Sequence, residues 1–267
     1  VTCARTVGVQ VVAAERADDW DPRSPEVLGD QTGAYDRMRA RCPVAHSEYL
    51  GWSVFRHSDV VAVAEDHASF SSKVSAAHPA LPNGFDPPQH DEYRRLIDRY
   101  FEPQEIAELE SPFRAIALEL TLQLPRNGEI EFIDQFALTY ALRAQRAWLA
   151  WPRYTEDALR DWSTRSSRAT LTGDRKAIDE VAQDFDRTVM RVMEDLRAGS
   201  ETAHDPTSRL LRERIGGVPL TDGEIVSILR NWTVGELGTM AASVGILVDY
   251  LSRRPQLQRS LRSTPED

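Results

Sequence analysis

"DPPQHDEYRRLIDRYFEP", from Asp86 to Pro103, is the stretch whose reading decides the fold. With successive residues set 100° apart, Tyr93, Leu96, Ile97, Tyr100 and Phe101 fall on one side of a helix. His90 and Arg94 share an edge of that side with Ile97 and Phe101, while Arg95 and Arg99 point the other way. Residues at i and i+4 are stacked neighbours, so His90 and Arg94 can grip one object together. A guanidinium presents a fork that fits a carboxylate, which makes an anion one candidate. The other candidate is local: Asp91 and Asp98 lie within reach of Arg94, and an exposed pair of that kind contributes only ~0–1 kcal/mol.

Outward from this helix the pattern stays helical. Segments centred on 103–124, 133–150, 154–171, 174–198 and 221–253 are divided by "PRNGE", "AWPR", "LTGD" and "GGVPLTDG". Upstream, the Pro- and Gly-rich residues 73–89 read as a loop. "SDVVAVAEDHASF" reads as a helix with Ser58 as N-cap and Val60, Val61 and Ala64 on one face. "VAHSEYLGWSVFRH" reads as a hairpin around Gly51, and "GAYDRMRAR" as a helix closed by Pro43. The expected fold is therefore mainly α with a small N-terminal β element. It forms one domain over 1–267, with an irregular leader at 1–30 and a helical body at 31–267.

The longest segment, "LTDGEIVSILRNWTVGELGTMAASVGILVDYLSRRP", opens on Thr221 and Glu224 in capping-box spacing and stops before Pro255. Its apolar stripe runs through Ile225, Ile228, Leu229 and Trp232, then Ile246, Leu247 and Tyr250. Gly235, Glu236, Thr239 and Ser243 occupy the same stripe between them, so its centre is small and polar. Mid-helix glycines such as Gly235 and Gly238 each cost about 1 kcal/mol relative to alanine. Either another backbone packs closely there or a flat ligand lies against the notch. A carboxylate on such a stripe should be paired, protonated or open to a water-filled cavity.

Composition bounds the rest. Charged residues make up 28% of the 267 and the net charge is -10, which argues against general affinity for nucleic acid or anionic membranes. Cys3 and Cys42 supply neither a disulfide framework nor metal-ligand spacing, and a reducing cytoplasm is the simplest setting. The N-terminal stretch is interrupted by Arg5 and lacks a basic leader, so it is not read as a signal peptide. The uncharged run "LGTMAASVGILV" is too short to span a bilayer.

With these features together, the chain resembles the cytochrome P450 family of haem-thiolate monooxygenases, of the soluble bacterial kind. "DPPQHDEYRRLIDRYFEP" resembles that family's C-helix, with its His-x-x-x-Arg pair and following Phe-x-Pro. "GWSVFRHSDVVAVAEDHASFSS" resembles the early strands and B-helix. "PLTDGEIVSILRNWTVGELGT" and "LVDYLSRRPQLQRSLR" resemble the long I-helix and the J-helix. The resemblance covers about residues 30–262 and implies the N-terminal two thirds of the cytochrome P450 fold. It implies that His90 and Arg94 hold the haem propionates and that the Gly235–Gly238 notch faces the cofactor. By the same resemblance, loop 73–89 contacts a small organic substrate. Arg95 and Arg99 lie where an acidic, ferredoxin-type electron donor docks, although a solvated charged face accounts for them equally well.

The sequence departs from the family in two places. The family's Ala/Gly-Gly-x-Asp/Glu-Thr signature here reads Val234, Gly235, Glu236, Leu237, Gly238, Thr239. Leucine takes the acid position and glycine the threonine position, so Glu236 and Thr239 are the candidates for a displaced acid–hydroxyl relay. The Glu-x-x-Arg helix and the cysteine-ligand loop lie beyond the J-helix, and no residue here matches either. A truncated chain, inactive alone, is therefore expected. The stripe from Ile225 to Tyr250 is then expected to be exposed or covered by self-association. A haem-free helical fragment acting as a binding or scaffold module is the alternative.

Overall fold

The computed structural model describes residues 19–73, 80–199 and 204–263. They fall in two compact units that divide between Ser72 and Lys73.

In the first unit, α1 (Pro25–Gly29) occupies part of the stretch read as an irregular leader, with the Ser24 hydroxyl accepting from Val27 N. α2 (Gln31–Arg41) is capped by Asp30 and ends at Cys42, one residue before Pro43. Cys42 is buried, and its thiol donates to the Val44 carbonyl at 3.3 Å. β1 (Val44–Ser47) pairs antiparallel with β2 (Gly51–Val54), and Gly51 takes the left-handed φ of 69° that the turn requires. Trp20 packs edge-on against Phe55 at 4.9 Å and against Tyr35 at 6.0 Å.

α3 (His57–Glu65) departs from expectation. Its N-cap is Arg56, Ser58 lies inside the helix, and no residue of the helix is buried. Val60 and Val61 sit on a face that no described element covers, and an apolar helix face stays wet until something packs on it.

The second unit is almost wholly helical. α4 (Gln89–Asp98) runs through a short 3₁₀ turn at Arg99–Phe101 into α5 (Pro103–Gln123). A π turn at Ile133–Leu138 leads into α6 (Thr139–Leu149), followed by α7 (Thr155–Thr172) and α8 (Arg175–Ala198). After α9 (Pro206–Leu210) come β3 (Arg214–Ile215) and β4 (Val218–Pro219), a small hairpin. Its turn residues Gly216 and Gly217 have φ of 58° and 82°, the positive pair that a tight hairpin turn demands. α10 (Asp222–Ser252) and α11 (Pro255–Ser263) complete the described chain. The expected helical segments from 103 to 253 are all present. The break "GGVPLTDG" proves to hold strand structure.

One core joins α4, α6, α7, α8 and α10. Phe185, Leu142, Leu159, Met193 and Leu229 are within 1% of full burial, and the Trp162 ring packs tilted against Phe185 at 5.1 Å. Gln145, buried in α6, donates to Thr233 of α10 at 3.2 Å, which in turn donates to the Leu229 carbonyl at 2.8 Å. A buried amide with its partner in place fixes the crossing of those two helices.

α10 is the spine. The Thr221–Glu224 capping box is formed as the sequence predicts. Beyond Trp232 the buried face does not follow the expected stripe. It passes through Thr233, Leu237 and Ala241, an i, i+4 row continuous with Leu229. Over so long a helix the 3.6-residue turn rotates any row assigned from its start. Gly235, Thr239 and Ser243 therefore lie on the open side, and Glu236 is half-buried at the boundary. The stripe expected to be bare from Ile225 onwards is buried from Ile225 to Trp232. Beyond Trp232 it is open, and at its far end Ile246 is 68% accessible and Leu247 60%. By length and composition α10 is apolar enough to cross a membrane, yet its first half is core.

Candidate functional site

α4 places the first set of residues. Its inner face, Tyr93, Leu96, Ile97 and Tyr100, is buried as the periodicity predicts. His90 and Arg94 stand at the edge, with side chains 33% and 53% accessible. His90 Nδ1 lies 2.9 Å from Asp91 Oδ1, and Arg94 Nε lies 2.8 Å from Asp98 Oδ1. Both side chains therefore rest on neighbouring carboxylates. Contacts this exposed hold a side chain weakly, and either can swing to a stronger anion.

The same edge leads to Phe101, which is 39% accessible. Its ring sits 5.5 Å from Trp148 of α6 and 5.6 Å from Trp232 of α10. Trp232 is one helical turn before Gly235. At Gly235 and Gly238 nothing lies within 4 Å of where a β-carbon would stand. Among the described residues no backbone packs closely there, so these do not supply the close helix contact that would explain the glycines. Close approach occurs instead at Gly245, where the Ile133 side chain fills the space a β-carbon would take. Nothing in the residue pattern singles out that glycine.

Glu236 and Thr239 share this part of α10. The Glu236 carboxylate has no hydrogen-bond or ion-pair partner among the described residues. The Thr239 hydroxyl donates to the Gly235 carbonyl at 2.5 Å, which leaves its oxygen lone pairs open.

α4 is held against the start of α10 by Tyr93, whose hydroxyl donates to the Glu224 carboxylate. Partial burial pushes the Glu224 carboxyl up, but bonds from Tyr93 and from the Thr221 amide and hydroxyl outweigh it. The net result holds Glu224 below the ordinary glutamate value. Burial first, and then this carboxylate, push the Tyr93 phenol well up. A depressed carboxyl adds stability that is complete above its unfolded pKa and is lost as pH falls through the folded one. Glu224→Gln should therefore show less loss of stability on acidification than the parent, read as denaturation midpoints across pH 3 to 7. Parallel curves would contradict this role.

On its outer side α4 carries Arg95 and Arg99. Arg99 Nη2 pairs with Glu213 Oε2 at 2.9 Å, and Tyr100 donates to Glu213 Oε1 at 3.1 Å. Arg95, Arg99 and Arg214 border one shallow recess beside the β3–β4 hairpin. Part of the loop expected to meet substrate, residues 74–79, lies outside the described residues, as does Cys3. The remainder is tied to α10: Leu81 N donates to Ser227 Oγ at 3.0 Å, and Asn231 donates to the Leu81 carbonyl at 3.3 Å.

A groove of about 670 Å³ runs between α7, the π turn and the second half of α10, starting at Gly238. Its α7 wall includes Ser163 and Ser167, which the sequence analysis passed over. Their i, i+4 spacing in "DWSTRSS" was the available signal.

No protein-family model matches the chain. Among curated proteins it is 26% identical over 257 residues to cytochrome P450 130 of Mycobacterium tuberculosis, covering 87% of this chain and 62% of that protein. It is 29% identical over 145 residues to erythromycin C-12 hydroxylase of Saccharopolyspora erythraea, covering 51% of this chain and 36% of that one. Among solved structures, epothilone D-bound cytochrome P450epoK superposes with a TM-score of 0.77 at 20% identity, covering 93% of this chain and 67% of that one. A mutant of P450 EryK in complex with erythromycin B gives 0.75 at 24%, covering 89% and 63%. At such identities the structural matches speak for the fold. The chain spans about 62% of the length of the mycobacterial relative.

Proposed function

We propose, from the premise that the chain belongs to the cytochrome P450 family by its sequence relatives and its fold, that it is the haem-gripping part of a monooxygenase. The observation that carries the proposal is the continuous edge from His90 and Arg94 to Phe101. Phe101 lies against Trp232, one turn before Gly235 and nearly two before Gly238, and no described residue stands over either glycine.

The residues present fit a haem. A flat macrocycle needs a surface without side chains, which Gly235 and Gly238 provide. Its carboxylates need cations free to turn outward, and His90 and Arg94 are accessible enough to do so. When bound, haem supplies the activation of dioxygen. The chain's own part is to anchor the propionates through His90 and Arg94 and to offer the glycine face to the ring. Glu236, with its unpartnered carboxylate, would take protons from solvent and hand them to Thr239 Oγ1 as the Thr239 hydroxyl turns away from the Gly235 carbonyl and gives its own proton onward.

In this reading the whole protein is cytoplasmic and oxidises a small organic substrate with electrons from a ferredoxin-type donor. That donor meets Arg95 and Arg99. Erythromycin, named for one relative and bound in one solved structure, supports extending the proposed substrates to larger oxygenated molecules. Cys42 is not proposed as the iron ligand. The 267-residue chain by itself is expected to bind haem without catalysing turnover.

A second reading is favoured by the pairs that His90 and Arg94 already make with Asp91 and Asp98. In it the fold is a haem-free scaffold that associates with itself through Ile246, Leu247 and Tyr250. Titrating the purified chain with haemin separates the two. The proposed function expects a saturable, red-shifted Soret band at one haem per chain, whereas no spectral change together with a dimer in solution would favour the scaffold.

A further inference from the structure

We infer that Trp148, Trp232 and Tyr100 form an electron path, in which Tyr100 reduces an oxidised tryptophan and gives its phenolic proton to Glu213. The path drains a one-electron oxidant of the peroxide-derived radical class out of the core. Where such an oxidant arises rests on the proposed function, since Trp232 lies one turn before Gly235; the transfer itself rests on the rings and the carboxylate alone.

Trp148 of α6 is half-buried and so open to small oxidants. Its ring centre lies 5.1 Å from that of Trp232, which in turn lies 5.3 Å from that of Tyr100. At such spacings ring edges are in contact, and an electron crosses neither water nor saturated chain. Trp232 is 6% accessible and Tyr100 1%, so a radical on either is shielded from other molecules. Phe101 touches both tryptophans, but its ring is too hard to oxidise to take part. The path therefore leaves through Tyr100.

Core packing alone explains touching rings, and a buried phenol ordinarily finds a hydrogen-bond partner. It is the combination at Tyr100 that packing does not require. Tyr100 donates to Glu213 Oε1 at 3.1 Å, and that acceptor is a base. Tyr93 and Tyr154 also donate to carboxylates, those of Glu224 and Asp195, but the ring against Tyr93 is Phe85 and the group over Tyr154 is Arg191. Tyr35 has Trp20 at 6.0 Å, yet it donates to no carboxylate among the described residues. Among the described residues, tryptophan contact and carboxylate acceptor meet at Tyr100.

The surrounding charges set how the step runs. The Arg209 guanidinium lies over the Tyr100 ring at 4.4 Å, so positive charge on that ring is disfavoured. The electron can leave only as the proton leaves. Arg99 occupies Glu213 Oε2 at 2.9 Å, which keeps Oε1 for the phenol. In the step, the oxidised indole gains one electron and returns to its neutral form. Tyr100 loses one electron and one proton and becomes a neutral tyrosyl radical, while Glu213 becomes the neutral acid. Glu213 is 18% accessible, so a thiolate in solution can reset the pair. It returns one electron to Tyr100, Glu213 returns the proton, and the resulting thiyl radicals couple to a disulfide.

The test is pulse radiolysis of the full chain, without haem, using azidyl radicals to oxidise its indoles. In the parent, the visible absorption of the indolyl radical should decay as the tyrosyl band rises, at a rate independent of protein concentration. Freeze-quenched electron paramagnetic resonance identifies the product. Tyr100→Phe, which keeps the ring packing, should remove most of this phase, and Trp148→Phe should do the same from the entry side. Glu213→Gln still accepts a hydrogen bond but is no base, and should slow the phase roughly 100-fold. Tyr35→Phe should change nothing, and far-UV circular dichroism confirms that each variant is folded. The inference is overturned if the parent shows no concentration-independent transfer, if Tyr100→Phe or Trp148→Phe leaves it intact, or if Glu213→Gln leaves its rate unchanged. Because the samples hold no haem, these results stand apart from the haemin titration, and either can fail alone.

Discussion

The double variant His90→Ala/Arg94→Ala is expected to weaken haem binding roughly 100-fold, at ~1.5 kcal/mol for each charge-assisted bond to a propionate. The low end of the usual range applies because both side chains are partly accessible to water. Arg94→Lys should recover part of the loss, since an ammonium keeps the charge but not the fork. The structure adds a change of opposite sign. Asp98 holds Arg94 when no haem is bound, so Asp98→Ala removes a competitor and should tighten haem by about twofold. Haemin titrations followed at the Soret band read all three. Unchanged affinity in the double variant would remove the propionate grip from the account and leave the two cations as a solvated surface.

The second large effect concerns the platform beneath that site. Phe185 of α8 is buried among Trp151 and Trp162, at 6.5 and 5.1 Å between ring centres. Phe185→Ala removes those contacts and leaves a cavity, at a cost of ~3–5 kcal/mol. For a body of this size that lowers the melting temperature by about 10 °C. Ile178 of the same helix is exposed, and Ile178→Ala should change stability by less than ~0.5 kcal/mol. Similar melting temperatures for the two variants would show that α8 does not belong to the core as described.

Much of the fold was legible because its helices are amphipathic and punctuated. The helices break at "PRNGE", "AWPR" and "LTGD" in the structure, and the capping box of α10 forms on the residues that spell it. What escaped was governed by contacts that one helix cannot report. α3 was read with Val60, Val61 and Ala64 on one face, but whether such a face is buried depends on a neighbour that periodicity does not supply. On α10 the row assigned at Ile225 was carried too far, and the buried side turned towards Leu237 and Ala241. The hairpin at Arg214–Pro219 was taken for a break because two adjacent glycines mark both breaks and tight turns.

For the candidate site, the sequence identified His90, Arg94, Gly235 and Gly238 as noteworthy. It left open whether the two cations serve a ligand or each other's neighbours, because side-chain choice between Asp98 and an outside anion is a matter of energy. Ser163 and Ser167 stand at i, i+4 spacing in "DWSTRSS", but nothing marked the pair until α7 was seen to line a groove with α10. Serines are common on helix surfaces, and only the facing wall gives them meaning.

Gly235 and Gly238 carry a consequence for how this protein could be hardened against heat. With open space at both, alanine would fit without displacing any described atom, and it would relieve about 1 kcal/mol of lost backbone order at each position. Gly245 offers no such gain, because Ile133 already claims its volume. The spine thus holds two unspent improvements side by side, at the spot where filling the space would collide with whatever flat guest comes to rest there.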